Sequence, residues 1–85
     1  MKFSMMFLGV ALVGLTACVE EDTARGAMCS AVNYGNDSST WAFDNECDDP
    51  RFYGPGTDEI LLSSDAFRDA TDCRNLCFAG LVNPR

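Results

Sequence analysis

The residues that could do chemistry lie in two short acidic runs, each carrying one cysteine. The first is Asp44-Asn45-Glu46-Cys47-Asp48-Asp49, with four carboxylates in six residues. The second is Asp69-Ala70-Thr71-Asp72-Cys73. Carboxylates this close repel one another unless water screens them or a cation sits among them. Their oxygens suit a hard divalent ion. Calcium accepts about six to eight oxygen ligands in irregular loop geometry, which magnesium tolerates less well. The same residues could instead form a solvated surface, with Asp72 capping a helix and Arg51, Arg68 or Arg74 as partners. An EF-hand is excluded, because no glycine occupies the sixth loop position counted from Asp44 and Pro50 breaks the register.

Other chemistries fit poorly. The chain has no histidine, so a serine or cysteine nucleophile lacks its usual base. Paired carboxylates could act as acid and base, but a module this small cannot build a substrate cleft around them. Zinc wants four thiolate or imidazole ligands at paired short spacings, and only Cys73 and Cys77 are close. The expectation is a protein that is not an enzyme, with calcium as its ion.

The elements that must position these residues begin after an export signal. The chain opens MKFSMMFLGVALVGLTACVEED. Lys2 gives a short positive start, and Met5 to Leu15 is an apolar run too short to cross a hydrocarbon core of roughly 30 Å as a helix. Its end, Leu15-Thr16-Ala17-Cys18, resembles the lipobox of bacterial lipoproteins. That resemblance implies cleavage before Cys18 and acylation of Cys18 by diacylglycerol and palmitate. An ordinary signal peptide with an incidental Cys18 is the alternative. Cysteine parity agrees with lipidation: of the five cysteines, removing Cys18 leaves Cys29, Cys47, Cys73 and Cys77 for two disulfides in the oxidising periplasm or at the cell surface.

The expected organisation is a signal peptide over 1–17, a lipidated tether over 18–27 and a disulfide-rich calcium-binding module over 28–85. The chain from Cys18 onward keeps all 13 acidic residues against five arginines. That balance argues against nucleic acid and against electrostatic attraction to anionic headgroups. Membrane attachment would come from the acyl chains on Cys18, at about 0.8 kcal/mol per buried methylene. In enterobacterial lipoproteins an aspartate after the lipidated cysteine marks inner-membrane retention, so Val19 favours the outer membrane.

A module of about sixty residues buries too little apolar surface to stand without covalent or metal staples. The turn formers of Asn33 to Thr40 and the Pro55-Gly56 pair within Tyr53 to Thr57 read as loops. Thr57 reads as the N-cap of a short helix from Asp58 to about Ser63. Thr71 or Asp72 reads as the cap of a second helix that ends with Gly80 in the C′ position. On it Cys73, Leu76, Cys77 and Phe78 share an apolar face. The fold class expected is a small, disulfide-rich, loop-dominated module with two short α-helices and little or no β-sheet, stabilised by metal. Trp41, Phe43, Phe52, Tyr53, Phe67 and Phe78 are expected to pack in core and loops. Cys73 and Cys77 cannot pair on one helix, where Cβ atoms four residues apart are about 5–6 Å apart and a disulfide needs about 3.5–4.5 Å. Two pairings remain: Cys47–Cys73 with Cys29–Cys77, or Cys29–Cys73 with Cys47–Cys77. The first would set the two acidic runs against each other.

The stretch WAFDNECDDPRFYGPG, followed by LL and then DATDCRNLCFAG, resembles a short module of bacterial exported proteins written WANDGECDDPRF, then DATDC. The core of that module is itself similar to the calcium-binding Notch-type repeat, in which two acidic runs flank a disulfide and an ion. The resemblance spans Trp41 to Gly80. It implies a Cys47–Cys73 bond, hence Cys29–Cys77, and oxygen ligands at Asp44, Asp48, Asp69 and Asp72. Beside these, Glu46, Asp49 and Glu59 are weaker ligand candidates by position, either completing the shell or facing water. Asn45 and Ala70 stand where the Notch-type pattern has glycine, and asparagine tolerates the left-handed backbone that glycine would adopt. The functional expectation is a lipid-anchored cell-envelope protein carrying a small binding or structural module, with a protein partner in the envelope. The alternatives are a secreted inhibitor or effector acting through a rigid loop such as Phe52 to Thr57, and, behind it, an enzyme using paired carboxylates.

Overall fold

The computed structural model describes residues 23–85. Cys18, the lipobox and the start of the tether lie outside the described residues. Helix α1 covers residues 23–30, so the end of the segment read as a tether is helical. Its Arg25 donates to the Cys77 carbonyl at 3.2 Å and to Asn83 Oδ1 at 3.1 Å. Among the described residues no helix is long and apolar enough to cross a membrane.

After α1 the chain is mostly loop. Asn33 Oδ1 accepts the Gly35 N–H, and Asn36 Oδ1 accepts the Ser38 N–H, the Asx turns that such residues favour. Strand β1 (Phe52–Tyr53) pairs antiparallel with β2 (Asn83–Pro84), and an isolated parallel bridge joins Cys47 to Thr57. Helix α2 runs over Ala70–Phe78. It closes as expected: Gly80 has φ +80°, its N–H bonds the Cys77 carbonyl, and the Leu81 N–H bonds the Leu76 carbonyl. Those two bonds form a Schellman cap.

The helix expected from Asp58 to Ser63 is absent; only a 3-10 turn at Ser63–Asp65 forms in that region. The Asp58 N–H is committed to the Cys47 carbonyl at 3.2 Å and the Glu59 N–H to Asp58 Oδ1 at 2.7 Å. A six-residue segment has too few internal hydrogen bonds to recover the cost of nucleating a helix against those commitments.

The core is small and largely covalent. Its buried apolar residues are Cys29, Tyr34, Cys47, Phe52, Cys73, Cys77 and Val82. The disulfides are Cys47–Cys73 and Cys29–Cys77, the pairing implied by the resemblance. Closing loops with sequence separations of 26 and 48 stabilises by about 3–4 kcal/mol each in the chain-entropy model. Tyr34 stacks on Phe52 with centroids 5.7 Å apart and donates its hydroxyl to the Cys29 carbonyl. Of the aromatic residues expected to pack, only Phe52 is buried; Trp41, Phe43, Tyr53, Phe67 and Phe78 are exposed. The buried interior is made largely of half-cystines and aspartates, and Phe67 carries the Arg51 guanidinium 3.6 Å from its centroid. Phe78 leaves the apolar face of α2 and lies beside Arg74.

Gly35 sits where no side chain fits. It has φ +86°, and a Cβ there would run into the Phe67 backbone. The close approach lets Asn36 bond Phe67 and Ala70 through its own N–H and carbonyl, each at 2.9 Å. Gly35→Ala is therefore expected to destabilise by about 3 kcal/mol or more, or to prevent native disulfide pairing. Denaturant unfolding and a count of free thiols measure both.

Candidate metal centre

The site is built where the Cys47–Cys73 bond joins the Asp44 loop to the start of α2. Asp69 is the N-cap residue of α2 but makes no side-chain capping bond. Its Oδ2 accepts the Asp48 N–H at 2.7 Å instead. The capping work passes to Asp37, which accepts the Thr71 N–H and the Thr71 hydroxyl, both at 2.8 Å. Thr71 and Asp72, read as caps from the sequence, are thus the second and third residues of the helix. Nothing in local spacing flags Asp37, which lies more than thirty residues upstream of the helix it caps.

The Asp44 loop is held by its own turn and by α2. Asp44 Oδ1 accepts the Glu46 N–H, and Asp72 Oδ2 accepts the Asp44 N–H, each at 3.0 Å. Phe43 and Asn45, on either side of Asp44, both have φ +66°. Asparagine tolerates that region; a bulky residue such as Phe43 is held there at a cost.

Asp44, Asp48 and Asp69 each offer a carboxylate oxygen, and these oxygens lie within 4.8 Å of one another. Ligands on opposite sides of a calcium ion are separated by about 4.8 Å, so all three can touch one ion. Asp48 is 1% exposed and Asp69 is fully buried, while Asp44 faces solvent. Among the described residues no donor reaches either carboxylate oxygen of Asp48, or Oδ1 of Asp69. Burial pushes the Asp48 carboxyl up to about 8, helped by the neighbouring negative charges of Asp44, Asp69 and Asp58. Burial likewise pushes Asp69 up to about 7, opposed by the Asp48 N–H and reinforced by Asp72. Buried, unpartnered carboxylates are costly to ionise, and a hard cation is what would let them ionise together.

The other sequence candidates go elsewhere. Asp72 stands outside the three-oxygen set and orients Asp44 through its backbone, the role of a supporting residue in metal sites. Asp49 is buried but committed: it pairs with Arg51 at 2.6 Å and accepts the Phe67 N–H at 2.9 Å. Glu46 is exposed, with its carboxyl raised chiefly by the charge of Asp58. No family model matches the chain, and no curated protein or solved structure matches it either.

The raised carboxyls fix the sign of a pH effect. Between the ordinary carboxylate range near 4 and about 7–8, the folded protein binds more protons than the unfolded chain through Asp48 and Asp69. The contribution of these groups to stability in chelator is thus full below pH 4 and lost as pH rises toward 8. Thermal unfolding in chelator is expected to show a melting temperature lower at pH 8 than at pH 5, by roughly 5 °C or more. A divalent ion that binds the site should remove the deficit.

Proposed function

We propose that the chain is a lipid-anchored protein of the cell envelope whose folded part is a calcium-stabilised structural or binding module without enzymatic activity. The observation that carries the metal half is Asp48, buried beside Asp69 with no donor to either carboxylate oxygen. Calcium suits the arrangement because its donors are carboxylates on loops and a helix start, in irregular geometry, with one side open to water through Asp44. Zinc is disfavoured because Cys29, Cys47, Cys73 and Cys77 are consumed in disulfides. Calcium would add a third staple to the two covalent ones, joining the loop before Cys47 to the helix before Cys73.

The anchor half rests on the residue pattern around Cys18 and on cysteine parity. The outer membrane is the favoured location, with a protein partner in the envelope. An acidic chain with no histidine supports neither nucleic-acid binding nor histidine-based catalysis.

Millimolar calcium is expected to raise the melting temperature of the oxidised protein at pH 8 by roughly 10 °C or more if it saturates the site about a hundredfold. Asp48→Asn should act in opposite senses in the two conditions. In chelator it should stabilise, because a buried charge is removed; in calcium it should abolish the increment. A variant that lowers stability equally with and without calcium would show Asp48 to be merely structural.

A further inference from the structure

Sequence patterning places Asp58 in the first turn of a helix, but the structure puts it across from the acidic loop. The bridge to Cys47 sets it there: the Cys47 N–H bonds the Gly56 carbonyl at 2.8 Å, and the Cys47 carbonyl accepts the Asp58 N–H at 3.2 Å. The turn that leads into Asp58 is fixed in its own right. Thr57 donates its N–H and its hydroxyl to the Gly54 carbonyl at 3.2 and 2.8 Å, and the Gly56 N–H bonds the Leu81 carbonyl. Asp58 is therefore held next to Asp48 by backbone geometry.

We propose that Asp58 is a fourth carboxylate ligand of the cation held by Asp44, Asp48 and Asp69. The proposal rests on the reading of these residues as a cation site, and it extends that site to the Gly54–Thr57 turn. Asp48 is buried with both carboxylate oxygens lacking a donor, and the parallel bridge of Cys47 to Thr57 sets Asp58, the next residue on, across from Asp48. Two carboxyl groups share such a position only when a proton or a cation lies between them. Asp58 is half-buried and outside the set of oxygens mutually within 4.8 Å, so ligation takes a rotation of its side chain, for which its solvent side leaves room. Four carboxylates from two loops and a helix start make a shell for a large, hard, multiply charged ion, with the remaining positions filled by water.

The test uses the purified chain with both disulfides formed, titrated with calcium and, separately, with terbium as a luminescent probe. Asp58→Asn is expected to weaken calcium binding at least tenfold, whereas Glu59→Gln, which removes the same charge one residue on, should weaken it less than threefold. Asp58→Ala should also add about one water to bound terbium, read from luminescence lifetimes in light and heavy water. Equal weakening by Asp58→Asn and Glu59→Gln, with no change in bound water, would reduce Asp58 to a distant charge and overturn the proposal. So would unchanged calcium affinity in Asp58→Asn while the parent chain binds. Absence of binding by the parent chain would instead remove the underlying cation site, a failure seen before any variant is compared.

Discussion

The Cys47–Cys73 bond is the constraint on which the rest depends. Each half-cystine has aspartates within four residues of it, and joining the two sulfurs forces those carboxylates into one small volume. Once Asp48 and Asp69 are buried together, water can no longer screen them. The interior must then supply donors, hold protons or admit a cation. Among the described residues the only donor supplied is the Asp48 N–H to one oxygen of Asp69. The bond that staples the fold is thus also what creates its electrostatic problem.

Several features elsewhere make sense as accommodations to that site. Asp69 gives up the capping of its own helix, and Asp37 takes it over from a distant loop. Asp72 spends an oxygen on the backbone of Asp44, and Phe43 and Asn45 hold positive φ so that the intervening carboxylate is presented to the site. Asp49, the neighbour of Asp48, is neutralised separately by Arg51, which leaves no guanidinium there for Asp48. The displaced cap of α2 and the positive φ of Phe43 depart from the locally cheapest arrangement, and departures of that kind gather at functional positions.

Much of this was legible from residue types. The turn formers around Asn33, the C′ role of Gly80, the left-handed Asn45 and the exclusion of a Cys73–Cys77 bond each follow from a local rule that tertiary contacts do not oppose. The pairing Cys47–Cys73 followed from a resemblance between motifs rather than from spacing. What was not legible depends on contacts between distant segments. Asp58 looked like a helix start because its amide partner, the Cys47 carbonyl, lies outside any local window. The bond from the Asp44 amide to Asp72 Oδ2 cannot be inferred from composition. The exposed rings of Trp41, Phe43 and Tyr53 mark the limit of reading burial from hydrophobicity in a module whose interior is occupied by sulfur and carboxylate.

The central claim is that buried, protonated carboxylates ionise to hold one calcium ion. It is tested most directly by calorimetric titration of the oxidised chain with calcium at pH 7, in buffers of differing ionisation enthalpy, so that released protons are counted. With Asp48 raised to about 8 and Asp69 to about 7, the account predicts one ion bound per chain with release of about one proton or more. Calcium binding without proton release would place the ion elsewhere, and the absence of binding would contradict the account outright.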